Sequence, residues 1–183
     1  LAGGTGLALQ LGHRKSEDLD FFSRDKFDVQ EIIDYIKPEK ISIIRRQTLH
    51  CVKDGVKLTF LLNEIDLVFQ TTLWNGIDLA SWEDIVSDKF MTISQRGAKK
   101  DFYDLYAAII IKSTIHDICD YFLRRFGHTG INLYHILKSL VYFEDAEKEP
   151  EPVLMVKDDV WEWRNVKKYF EEHIKEFEGC LLK

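Results

Sequence analysis

At 183 residues, 45% apolar and 31% charged, the chain is long enough to bury about 70% of its extended surface, which excludes a disordered tail. Its 25 basic and 31 acidic residues leave a net charge of −6, which excludes a polycation held to nucleic acid by bulk charge and requires any such contact to be a local basic patch. Cys51, Cys119 and Cys180 are too scattered for a disulfide framework or a CxxC zinc site, no apolar run spans a membrane, and no signal peptide opens the chain, so a cytoplasmic protein is expected.

The chain starts Leu1-Ala2-Gly3-Gly4-Thr5, in mid-motif and without a methionine, and a preceding segment is expected. A short helix follows the glycines and closes at Gly12. Residues 18–22 read as a strand, and residues 29–36 as a helix ended by Pro38. Residues 41–52 and 56–62 are β-rich runs joined at Asp54-Gly55, a strong hairpin signal, and residues 65–69 suit a further short strand. Beyond Ser81, which with Asp84 forms a capping-box pattern, the periodicity turns helical. One long helix is expected over residues 99–125, another over 133–143, and a last over 160–177 after an acidic loop at 147–152. Trp161 and Trp163, two apart in a helix, should not face one core together. The fold class is α+β: a small mixed β-sheet core over residues 1–80, then an all-helical part over 81–183 that completes a cleft.

Asp18 and Asp20 alternate along a strand, so both carboxylates leave one face with Cα atoms roughly 7 Å apart. That spacing suits shared ligation of Mg²⁺ in phosphoryl or nucleotidyl transfer, although two acids on a solvated edge strand would look the same. Gly3, Gly4 and Thr5 at a helix start let backbone approach a phosphate closely, or merely shape a turn. A dinucleotide-binding reading of Gly4-Thr5-Gly6 fits poorly, because Ala8-Leu9 stands where its third glycine belongs. Asp101 and Asp104 share a helix face, which solvent and the neighbouring Lys99 and Lys100 could explain. Lys89 is a lone lysine in an amphipathic helix, ordinarily a surface residue. Six histidines form no metal-binding spacing. Basic clusters at Lys37, Lys40, Arg45 and Arg46, and at Arg96, Lys99 and Lys100, could meet RNA phosphates or simply be solvated.

Taken together, residues 1–22 (LAGGTGLALQLGHRKSEDLDFF) and 96–106 (RGAKKDFYDLY) resemble the AbiEii/AbiGii toxin family of nucleotidyltransferases, and residues 139–146 and 161–170 are similar to its C-terminal helices. The resemblance implies a DNA polymerase β-like nucleotidyltransferase core. It implies Mg²⁺-dependent transfer (Mn²⁺ as the substitute) of a nucleotide from an NTP to an acceptor hydroxyl, with tRNA as acceptor and a cognate antitoxin as partner in a toxin–antitoxin or phage abortive infection system. By position it implies that Gly3, Gly4 and Thr5, assisted by Arg14 and Ser16, hold the triphosphate, and that Asp18 and Asp20 bind the metal. It further implies that Lys89 contacts phosphate, that Asp101 is the motif acid, and that Asp104 stands beside it. One departure stands out. Many polymerase β-like enzymes carry a third, general-base carboxylate on a neighbouring strand, whereas residues 56–62 offer only Thr59, with Glu64 and Asp66 just beyond. Two alternatives follow: a catalytically weak nucleotide-binding or protein-interaction module, and a transferase acting on a protein or small molecule.

Overall fold

The computed structural model describes residues 1–182. Its first half comprises α1 (Gly3–Leu11), β1 (Asp18–Ser23), α2 (Val29–Ile36), β2 (Lys40–Arg45), β3 (Thr48–Lys53), β4 (Val56–Leu62) and a small hairpin of β5 (Thr72–Trp74) and β6 (Ile77–Leu79). Asp54 and Gly55 both take positive φ, 50° and 75°, as the tight hairpin between β3 and β4 requires. The run over 41–52 is two strands, not one: the chain turns at Arg46-Gln47, and β2 folds back along β3. The sheet order is β1-β4-β3-β2, with β1 and β4 parallel and the other pairs antiparallel, so the sheet is mixed and the α+β class holds.

Strand alternation sorts the side chains to two faces. Leu49, Cys51, Leu58 and Phe60 face α2, where Val29, Ile32 and Ile33 cover them. The opposite parity carries Asp18 and Asp20 on β1, Thr59 on β4 and His50 on β3. Register aligns three of these in one row: Asp20 is opposite Thr59, and Thr59 is opposite His50.

The second half comprises α3 (Trp82–Arg96), α4 (Lys99–Ile111), α5 (Ile115–Phe126), α6 (Leu133–Ser139) and α7 (Trp163–Leu181). A core of Ile85, Phe90, Phe102, Leu105, Phe122, Phe170 and Phe177, all fully buried, holds these helices together, and Leu7 of α1 joins it. Burial of each such side chain contributes about 1.5–3 kcal/mol. The helix expected over 99–125 is broken between Ile111 and Ile115, where Thr114 leaves helical backbone and its hydroxyl caps the amide of Asp117. No strand forms over 65–69. The amides of Val68 and Phe69 instead donate to the buried Asp84 carboxylate, which also meets Ser81 in the expected cap. Trp161 and Trp163 are both buried, because Trp161 ends a separate 3₁₀ turn and extended backbone at Glu162 redirects the chain before α7. No helix among the described residues is long and apolar enough to cross a membrane.

Candidate active site

Gly3 sits at φ +62°, and a Cβ there would collide with the carboxylate of Asp20. A Cβ on Gly4 would lie 2.5 Å from Arg14 Nη2. The two glycines therefore let the start of α1 rest directly on an acid of β1 and on a guanidinium. Thr5 does not face the space beyond them. Its hydroxyl donates to the Asp18 carbonyl and lies 2.8 Å from Ser16 Oγ, tying the helix start to the strand. Ala2 N donates to Asp20 O at 2.9 Å and completes that junction.

The helical half supplies a buried ionic cluster. Lys89 Nζ lies 2.8 Å from Asp101 Oδ1 and 2.7 Å from Asp104 Oδ2. Asp104 also accepts from Arg14 Nε and Nη2 at 2.6 and 2.8 Å and pairs with His13 Nε2 at 2.7 Å. Arg96 Nε and Nη2 grip Asp101 at 2.8 and 3.0 Å. Burial alone would raise the Asp104 carboxyl, but Lys89 and the hydrogen bonds of His13 and Arg14 outweigh it and hold the group far below the usual carboxylate range. Asp101 is lowered for the same reason, by Lys89 and Arg96 against burial. Burial would discharge Lys89, yet Asp104 and Asp101 raise its pKa, so its charge is fixed. Three cations against two carboxylates leave the cluster positive beneath the cleft.

The cleft itself is a cavity of about 530 Å³ between sheet and helices. Asp18, Asp20, Thr59 and His50 line it from the sheet, Gly3 and Gly4 from α1, and Asp88, Lys89, Thr92 and Arg96 from α3. The Asp18 carboxylate makes only long contacts, 3.8 Å to Lys57 Nζ and 3.9 Å to Lys100 Nζ. Of the expected site residues, Gly3, Gly4, Arg14, Ser16, Asp18, Asp20 and Lys89 reach the cavity, while Thr5, Asp101 and Asp104 stand behind it. Lys40, Arg96 and Lys100 from the basic clusters also line it, whereas Lys99 is buried against Glu151 and Trp163. Neither Glu64 nor Asp66 comes round: Asp66 pairs with Arg24 on an exposed face, and the β4 position opposite Asp20 is Thr59. Among the described residues no three acidic, histidine or cysteine side chains cluster as metal ligands. The donor set fits a cation that completes its shell with water and substrate phosphate, as Mg²⁺ does, and does not fit an all-protein cage.

Asp88 carries no sequence signal of its own, standing as one polar residue among several on α3. Its Oδ1 is ion-paired with Arg125 Nη2 at 3.1 Å without a hydrogen bond, and Oδ2 has no hydrogen-bond partner among the described residues. Burial raises its pKa to about 6, with Asp84 adding to the rise and Arg125 opposing it. The folded carboxyl binds its proton more tightly than the unfolded one, so stability falls as pH climbs from about 4 to 6. Asp88→Asn is therefore expected to stabilise the fold at pH 7.5, by about 1–3 kcal/mol, and to make no difference below about pH 4. Arg125 keeps the Asp84 carbonyl at 2.7 Å and its carboxylate at 3.3 Å in that variant. Thermal unfolding across this pH range checks it.

A cleft with free carboxylates on one wall and anchored cations on the other suits a substrate that brings both a divalent cation and a polyphosphate. That pairing is the chemistry of nucleotidyltransferases. Residues 1–54 match the family described as "Nucleotidyl transferase AbiEii toxin, Type IV TA system". An uncharacterized protein of Aquifex aeolicus (strain VF5) is 34% identical over 186 residues, covering 97% of this chain and 86% of the relative. The chain belongs to the AbiEii nucleotidyltransferase toxin family, and at family level it is a nucleotidyltransferase toxin of a type IV toxin–antitoxin system. The crystal structure of JHP933 from Helicobacter pylori shares the fold, with a TM-score of 0.52 and 17% identity over 98% of this chain and 84% of that one.

Proposed function

We propose that the protein transfers a nucleotide from a nucleoside triphosphate to an acceptor hydroxyl at the end of a tRNA, with Mg²⁺ as cofactor and a cognate antitoxin as partner. The observation that carries this reading is the opposition of Asp18 and Asp20 to the anchored cations Lys89, Arg14 and Arg96 across a single cavity. Asp18 and Asp20 would hold the metal, which when bound supplies positive charge to the attacking and leaving oxygens. Gly3 and Gly4 present the backbone at the start of α1 to the triphosphate, and Lys89, Arg14 and Arg96 neutralise its charge. Ser16 and Thr5 keep the glycines against β1. Asp101 and Asp104 are positioning residues that act through the cations they hold. Lys40, Lys57 and Lys100 at the cleft give a chain of net charge −6 the local basic surface an RNA end needs.

The test is incubation with each labelled triphosphate, Mg²⁺ and total tRNA. Wild type is expected to label RNA, and Asp18→Asn to abolish labelling while unfolding within about 2 °C of wild type, because the Asp18 side chain makes no close structural bond. Labelling that survives Asp18→Asn would refute the assignment of that carboxylate. Triphosphate binding without transfer to any acceptor would favour a non-catalytic module, and labelling of protein instead of RNA would move the acceptor class.

A further inference from the structure

In-line attack at the α-phosphorus needs a group to take the acceptor's proton, and β4 offers none opposite Asp20. Asp18 and Asp20 are committed to the metal in that reading, Asp101 and Asp104 are saturated by cations, and Asp88 is held on one oxygen by Arg125. The sheet offers an imidazole on the same wall. His50 lines the cavity, in the same strand row as Asp20 and Thr59. Two strand spacings put its Cα about 9–10 Å from that of Asp20, so a hydroxyl bound above Thr59 would lie between the carboxylate and the imidazole. His50 Nδ1 is 3.4 Å from Thr59 Oγ1. With the proton on Nδ1 directed at that oxygen, Nε2 carries the free lone pair. The strand is also fixed locally: β2 bulges between Ile41 and Ile43, and Ser42 Oγ donates to the His50 carbonyl at 3.1 Å.

We propose that His50 is the general base, taking the acceptor hydroxyl's proton on Nε2 in place of a third carboxylate; the proposal rests on the transferase reading above. As the acceptor oxygen bonds to the α-phosphorus, its proton passes to His50. The bond from that phosphorus to the bridging oxygen breaks, pyrophosphate leaves with the electron pair, and the imidazolium returns its proton to solvent. Thr59 at the centre of the row keeps a further negative charge away from the attacking oxygen and orients the ring.

The test compares His50→Ala, His50→Gln, Asp88→Asn and Asp18→Asn in the tRNA-labelling assay, with triphosphate affinity measured by calorimetry. His50→Ala is expected to lower kcat roughly 10²- to 10⁴-fold while triphosphate affinity stays within about threefold. Added imidazole should restore part of the His50→Ala rate and none of the Asp18→Asn rate. His50→Gln, which keeps a polar side chain but cannot accept the proton in the same way, should be as slow as His50→Ala. Transfer by both His50 variants within about threefold of wild type would overturn the proposal and leave the transferase reading standing, as would a loss found in Asp88→Asn instead. A wild type that binds triphosphate and modifies no acceptor would overturn both.

Discussion

Asp104→Ala is expected to cost about 3–5 kcal/mol of stability and to remove transfer activity with it. For a chain of this size that loss lowers Tm by roughly 10 °C. The reason is the number of donors that converge on one fully buried carboxylate: Arg14 through two nitrogens, Lys89, and His13. An intact buried ion pair is weak evidence of stability, because desolvation offsets most of its attraction, but deleting one partner strands the others. Arg14 and Lys89 would lose the anchor that aims them at the cleft. The sign of the pH dependence follows from the lowered Asp104 pKa: its contribution is fully present above the ordinary carboxylate range and is lost only as pH falls through the folded value. The Tm difference between wild type and Asp104→Ala should therefore stay constant from pH 7 to about pH 4 and narrow in stronger acid. Thermal unfolding at three or four pH values checks it. A small, pH-independent loss would mean that the cluster is solvated.

The sequence announced the parts of this arrangement whose signals are local. Asp54-Gly55 marked a hairpin, Asp18 and Asp20 marked one strand face, and the glycines marked the start of α1. Asn75-Gly76, with φ values of 48° and 79°, carries the same kind of signal for β5 and β6, but a weaker one, because the flanking strands are only three residues each. The break at 112–114 is hidden because apolar spacing continues across it, and only the threonine cap distinguishes two helices from one. Burial leaves a weaker trace in sequence than chain direction does. Lys89, Asp101 and Asp104 have the residue types and spacing of a solvated helix face, and nothing in periodicity tells that face from an ionic core whose charges pair across α3 and α4. His50 and Asp88 depend on strand register and helix packing over long separations, which no local pattern encodes.

Gly3→Ala is expected to reduce transfer by roughly 10²-fold or more, and Gly12→Ala to leave it within about threefold. The two glycines stand at opposite ends of the same helix, and both take positive φ, +62° and +65°. The strain of a positive φ costs about 1–2 kcal/mol at either position when a side chain is added. They differ in what the new Cβ meets. At Gly12 nothing lies within 4 Å, whereas at Gly3 the carbon enters the space of the Asp20 carboxylate. Either that carboxylate turns away from Asp18 or the start of α1 lifts from β1 and loses the Ala2 hydrogen bond to Asp20 O. In both cases the carboxylate pair and the backbone that would hold the triphosphate separate, by a distance that matters to a reaction requiring both. Transfer rates and thermal unfolding of the two variants, measured side by side, separate strain from close approach. Equal activity losses would assign Gly3 a conformational role alone, and a loss confined to Gly3→Ala would tie activity to the contact between the glycine turn and Asp20.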